Sequence, residues 1–206
     1  MARIGLLGGT FNPPHVGHLV CAQEAWFRLG LDRVLLLPVH TPPHKEIADE
    51  PGVEHRVALC ELAVAGDERL GVTRAEADVS GPSYTVDTLR RLNDECTGDQ
   101  LTFIVGGDMA SSLPTWREPE AVVALAELAV AERLGHGREA ILEQLRGIPG
   151  AAARVRFFDM PRIDVSSTLI RARVAAGEPV RYLVPEAVAD YIARERLYGA
   201  PEGAVA

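Results

Sequence analysis

Short, continuous apolar runs alternate along this chain with longer stretches in which apolar residues recur every three or four positions. The runs are Arg3 to Gly8, Arg33 to Leu37, Leu70 to Glu76, Leu101 to Val105, Leu128 to Glu132 and Arg154 to Phe158. Apolar runs of this length bounded by turn residues predict strands buried on both faces. The periodic stretches predict helices at His15–Leu29, entered through Pro13-Pro14, and at Glu54–Gly66, Thr85–Cys96, Glu118–Ala126, Arg138–Leu145, Ser167–Ala176 and Pro185–Arg196. Strands alternating with helices predict an α/β fold, a doubly wound, Rossmann-like parallel sheet with helices on both faces. Between Pro38 and Glu54 the pattern gives way to a loop with four prolines, longer than compact domains usually carry without a functional reason.

Length and composition narrow this picture. At 206 residues there is room for one substantial domain, expected over 1–198 with 199–206 as a frayed tail. Hydrophobic residues at 47% and charged residues at 24% exclude a disordered or collagen-like chain. The longest membrane-helix candidate, Ala121 to Ala131, is short and carries Glu127, and the start turns glycine-rich too soon for a signal peptide. A cytoplasmic protein is expected. A net charge of −8 disfavours nucleic acid and anionic membrane as partners, so an anionic ligand would need basic groups gathered at one place. Cys21, Cys60 and Cys96 form no close pair and suit reduced thiols.

The candidate chemistry lies after the strands, where open parallel sheets bind ligands. Gly8-Gly9-Thr10-Phe11-Asn12-Pro13-Pro14-His15-Val16-Gly17-His18 follows the first strand. Glycines let backbone N–H groups face a ligand and the helix start adds partial positive charge, a combination suited to phosphate. His15 and His18, three apart, are expected on one face reaching the same ligand, with Gly17 leaving room for a nucleotide. Either histidine alone reads first as a cap or core side chain, a reading that the pair in its glycine-rich frame reverses, and a zinc pair lacks a third ligand at motif spacing. Late in the chain, Ser166-Ser167-Thr168-Leu169-Ile170-Arg171 reads as a capped helix start; with Ser167 as cap, Arg171 sits one turn inside, unfavourable unless an anion is beside it.

Together these two motifs resemble the H-x-G-H nucleotidyltransferases. Pro42-Pro43-His44-Lys45, Gly81-Pro82-Ser83-Tyr84-Thr85-Val86-Asp87-Thr88-Leu89, Gly106-Gly107-Asp108 and Leu113-Pro114-Thr115-Trp116 extend the likeness, along nearly the whole chain, to bacterial nicotinate-nucleotide adenylyltransferases. The resemblance implies transfer of AMP from ATP to nicotinate mononucleotide, with Mg²⁺ on the triphosphate and no metal bound by the protein itself. It implies catalytic roles for His15, His18 and Arg171. It also implies ATP contacts from Gly8, Gly9, Thr10, Phe11, Gly17, Gly106, Asp108, Arg133, Ser166, Ser167 and Thr168. Contacts to the mononucleotide fall to His44, Lys45 (the sole lysine of the chain), Tyr84, Thr85 and Trp116. The chain departs from the family at Thr41, where asparagine is common, and at Leu134, where proline is. A phosphopantetheine adenylyltransferase, or a nucleotide-sensing module without catalysis, is a competing reading, and a homo-oligomer is left open.

Overall fold

The computed structural model describes residues 1–42, 47–95, 97–132 and 137–200. Its six strands, β1 (Arg3–Gly9), β2 (Arg33–Pro38), β3 (Leu70–Val72), β4 (Gln100–Gly106), β5 (Glu127–Glu132) and β6 (Val155–Asp159), form one parallel sheet in the order β3-β2-β1-β4-β5-β6. Successive side chains of a strand point to opposite faces, and both faces here are covered. Leu6, Phe103, Val105, Leu128 and Val130 pack on one side with α3 (Thr85–Glu95), α5 (Pro119–Leu125) and α6 (Arg138–Leu145). Leu7, Val34, Leu36, Ile104 and Ala129 pack on the other with α1 (Val16–Leu29) and α2 (Val53–Val64). This double burial is why the strands read as unbroken apolar runs. A third cluster joins Leu59 of α2 to Ile170 and Val174 of α8 (Ser167–Ala175) and to Val188 and Ile192 of α9 (Glu186–Arg194). No described helix is long and apolar enough to cross a membrane.

The chain leaves β1 toward β2 on one side and later enters β4 on the other. Their connections diverge, and a crevice opens beyond their carboxyl ends, the usual ligand position in such sheets. Gly8, Gly9 and Gly106 lie there.

The structure departs from the sequence expectations in three places. β3 stops at Val72 rather than Glu76, because the N–H of Ala75 turns onto Thr73 Oγ1 at 3.3 Å and Glu76 is carried inward to accept from Thr88 Oγ1 at 2.9 Å. Burial pushes the Glu76 carboxyl above the usual carboxylate range. Two short helices, α4 (Gly107–Ser112) and α7 (Ala151–Arg154), were not expected; their few turns offer no periodicity to read. Gly199 and Ala200 are not frayed: they complete a turn, Leu197–Gly199 and onward, that buries Ala200 in the third cluster. Cys96 and 201–206 lie outside the described residues.

Candidate active site

Beyond β1 the backbone reverses sharply. Phe11 adopts a left-handed conformation (φ 50°) and its ring lies over Gly9, where any Cβ would come within 3.0 Å of it. Helix α1 begins at Val16 with His15 as its N-cap residue. The backbone N–H of His15 donates to His18 Nδ1 at 3.2 Å, closing a capping box of the kind usually made by Glu or Gln. An accepting Nδ1 places the proton of a neutral His18 on Nε2, so the ring offers a donor on its other edge. The two imidazoles stack at 3.7 Å, and Phe11 meets His18 edge-on at 5.0 Å. The two rings thus share one face, but His15 is only 5% exposed whereas His18 is half-buried, so the pair is layered with His18 outermost. Gly17 also has another cause than room for a nucleotide: a Cβ there would meet the His15 ring at 3.1 Å and Ile163 at 3.7 Å.

Helix α8 brings the second motif to this loop. Ser166, not Ser167, is its cap, accepting from the Leu169 N–H at 3.1 Å. Ser167 is thereby freed to donate through Oγ to the Pro13 carbonyl at 2.8 Å, while Thr168 is exposed. Arg171 donates through Nη1 to the Asn12 carbonyl (2.9 Å) and through Nε to Asp49 Oδ2 (3.0 Å). Its side chain is 11% exposed against 65% for Asp49. The anion that a cation near a helix start requires is, in this structure, the Asp49 carboxylate.

Two contributors escaped the sequence reading. Arg56 of α2, 1% exposed, donates to the carbonyls of Thr10 (3.0 Å), Val39 (2.6 Å) and His40 (3.0 Å) and to Glu50 Oε1 (2.9 Å). One guanidinium thus ties the loops after β1 and β2 to each other and to the chain before α2. Asn12, 3% exposed, donates from Nδ2 to the Ala48 carbonyl at 2.8 Å and accepts at Oδ1 from the Tyr198 hydroxyl at 2.7 Å. An arginine within an amphipathic helix reads as solvated, and only its burial in three dimensions marks Arg56 out; Asn12, inside the quoted motif, carried more signal.

Across the crevice, Asp108 lies exposed in the first turn of α4 with its carboxylate against Gly106, where a Cβ would meet Oδ1 at 2.9 Å. Thr85 begins α3, and the Tyr84 carbonyl accepts from the N–H groups of Asp87 and Thr88, leaving the first N–H groups of the helix outward. The Ser83 N–H donates to the Thr41 carbonyl at 2.9 Å, so position 41 bridges to this segment through its backbone. Trp116 donates from Nε1 to Ser112 Oγ at 3.0 Å and stands edge-on to Phe103 at 6.0 Å. Phe103 is also the ring a Cβ at Gly8 would strike at 3.0 Å, which puts the Trp116 side of the crevice next to the β1 loop. His44, Lys45, Arg133 and Leu134 lie outside the described residues. Among the described residues no group of three or more His, Cys, Asp or Glu is arranged to hold a metal ion.

A parallel sheet whose first loop leads into a histidine-capped helix at the switch point is the layout of a nucleotidyltransferase, and a family model described as cytidylyltransferase-like matches residues 6–173. The chain is 41% identical over 199 residues to a probable nicotinate-nucleotide adenylyltransferase of Symbiobacterium thermophilum, covering 96% of each chain. It is likewise 41% identical to one from Thermomicrobium roseum, covering 96% of this chain and 92% of that one. It therefore belongs to the cytidylyltransferase-like family and, within it, to the nicotinate-nucleotide adenylyltransferases. The fold is also that of a Plasmodium falciparum nicotinic acid mononucleotide adenylyltransferase complexed with NaAD, at a TM-score of 0.79 and 17% identity over 98% of this chain and 99% of that one.

Proposed function

We propose that this protein transfers AMP from ATP to nicotinate mononucleotide, forming nicotinate adenine dinucleotide and pyrophosphate. The observation that carries the reading is the meeting of two motifs distant in sequence: Ser167 and Arg171 of α8 bond the carbonyls of Pro13 and Asn12, in the loop that presents His18. A phosphate oxygen of the mononucleotide attacks the α-phosphorus of ATP, and the bond to the β-phosphate oxygen breaks as pyrophosphate leaves. No protein nucleophile is needed, so catalysis is positioning and stabilisation of charge on phosphoryl oxygens. His18 donates from Nε2 to the α-phosphate, and His15, stacked beneath, fixes its ring. Arg171 holds the phosphate chain, with Thr10 and Phe11 as backbone donors and the exposed start of α8 (Ser166, Thr168) beside it. Asp108 accepts from the ribose.

The imidazole of His18 and the guanidinium of Arg171 complement phosphate oxygens, and the Asp49 carboxylate beside Arg171 is the anion that an incoming phosphate would displace or share. Mg²⁺ carried on the triphosphate would supply neutralisation of phosphate charge. On the acceptor side, the outward N–H groups at the start of α3, with the Thr85 hydroxyl, receive the nicotinate carboxylate, and Trp116 stacks on the ring. His44, Lys45 and Arg133 complete the two nucleotide sites in this reading. The protein is placed in the cytoplasm.

The test is pyrophosphate release from ATP with nicotinate mononucleotide, its amide counterpart and phosphopantetheine as acceptors. An amide turns an N–H₂ toward donors that a carboxylate would satisfy, at about 1 to 3 kcal/mol per unpaired group. The acid is therefore expected to be preferred at least about tenfold in kcat/KM. Equal values would make the enzyme dual-specific, and release with phosphopantetheine alone would overturn the reading. With α-labelled ATP and no acceptor the protein should stay unlabelled; a stable label would exclude direct transfer.

A further inference from the structure

The turn that follows α9 reaches back across the molecule to the β1 loop, and the Tyr198 hydroxyl meets there a residue that already holds Arg171. We propose that Tyr198 is a positioning residue for Arg171, acting through Asn12. The inference rests on the reading of Arg171 as the phosphate-holding side chain.

The Asn12 side chain is buried and used at both ends: Oδ1 accepts from the Tyr198 hydroxyl at 2.7 Å, and Nδ2 donates to the Ala48 carbonyl at 2.8 Å. These partners fix which way the amide faces, since a hydroxyl hydrogen needs the oxygen and a carbonyl needs the N–H₂. The same residue supplies the carbonyl that accepts from Arg171 Nη1. The second anchor of the guanidinium, Asp49, follows directly on Ala48 in the chain. Both fixed points of Arg171 thus converge on one asparagine, and Tyr198 is the group that closes the asparagine's hydrogen bonding. Burial raises the phenol above its ordinary pKa, more than the nearby Arg171 charge lowers it, so the hydroxyl stays a donor through the neutral range. Tyr198 holds this place in a left-handed conformation (φ 59°) that a non-glycine residue keeps only where its surroundings determine it. Removing the hydroxyl leaves Oδ1 of Asn12 buried without its donor. The amide can then turn, releasing Ala48 and loosening both contacts that aim the guanidinium.

Tyr198→Phe keeps the ring and its packing and deletes the donor alone. The expected result is a loss of about tenfold in kcat/KM for ATP, with the KM for the acceptor nucleotide unchanged and the thermal midpoint lowered by a few degrees with folding intact. The decisive measurement repeats the substitution in an Arg171→Ala background, where it should cost nothing further, because coupled residues are not additive. Asn12→Ala should show the same loss and the same non-additivity, which serves if Tyr198→Phe folds poorly. A Tyr198→Phe enzyme within about twofold of wild type would overturn the proposal, as would an equal fold loss in both backgrounds, the mark of a merely structural tyrosine. If instead Arg171→Ala itself leaves kcat/KM for ATP intact, the phosphate role of Arg171 has failed, and that result is distinct from a failure at Tyr198.

Discussion

The two sides of the crevice are built differently. On the side proposed to hold phosphate the loops after β1 and β2 are tied to partners far away in the chain: Ser167 on Pro13, Arg171 on Asn12 and Asp49, Arg56 on Thr10 and Val39, Tyr198 on Asn12. On the side proposed for the acceptor the fixing reaches less far, with the Ser83 N–H tied to the Thr41 carbonyl. Trp116 bonds Ser112 four residues away, the Tyr84 carbonyl closes the first turn of its own helix, and Tyr84 is covered by the Arg117 guanidinium at 4.9 Å. A donor set that must meet a transition state within tenths of an ångström belongs on the long-range frame, since preorganisation means that no energy goes into arranging it during reaction. Recognition of one ring and one carboxylate tolerates a side that can be altered without disturbing the rest.

That contrast can be broken by experiment. His18→Ala should give the largest effect, a fall in kcat of roughly 10² to 10³ with a smaller change in KM, the cost of losing one preorganised donor to a developing oxyanion. Near-wild-type turnover in a folded variant would remove His18 from the chemistry. Arg171→Lys should lower kcat/KM for ATP by about ten- to a hundredfold, because an ammonium cannot hold the Asn12 carbonyl and a phosphate in the geometry of the guanidinium fork. A lysine enzyme matching wild type would mean that only charge matters there. Trp116→Ala should cost less, about threefold to tenfold in the KM for the acceptor nucleotide, and leave the KM for ATP unchanged. If ATP suffers equally, the two sides are not independent.

The smallest effect is one of stability. Glu76 packs behind α3, and burial raises its carboxyl pKa. A raised pKa contributes stability that is fully present below the ordinary carboxyl range and is lost as pH rises through the folded value. Glu76→Gln keeps an acceptor for Thr88 and should raise the thermal midpoint at pH 8 more than at pH 4, with kcat/KM unchanged. Parallel melting curves across that range would show that ionisation of Glu76 carries no cost.

What the sequence reveals follows the same division between local and distant. Continuous apolar runs give the strands because double burial needs no partner to be named, and Gly8 to His18 is legible because a glycine turn leading into a helix is a local arrangement. The helix at Gly107–Ser112 was missed because its six residues are too few for a period. Arg56 was invisible for a different reason: nothing local distinguishes a guanidinium that will meet three carbonyls from one that meets water. Ser166 in place of Ser167 as the cap follows from a contact 154 residues away, since the Pro13 carbonyl claims the second hydroxyl. The stacking of His15 under His18 likewise depends on Gly17 and Ile163 meeting in space.

The bond between Tyr198 and Asn12 spans 186 residues, nearly the length of the chain. During synthesis at about 5 to 20 residues per second, the loop after the first strand therefore waits roughly 10 to 40 s for its last partner. A nascent chain halted between α9 and that turn already contains every strand of the sheet and the helices on both faces, yet the asparagine of its first loop still lacks the Tyr198 donor. Competence to bind should then appear only once that turn has been made, well after the six strands have become resistant to protease.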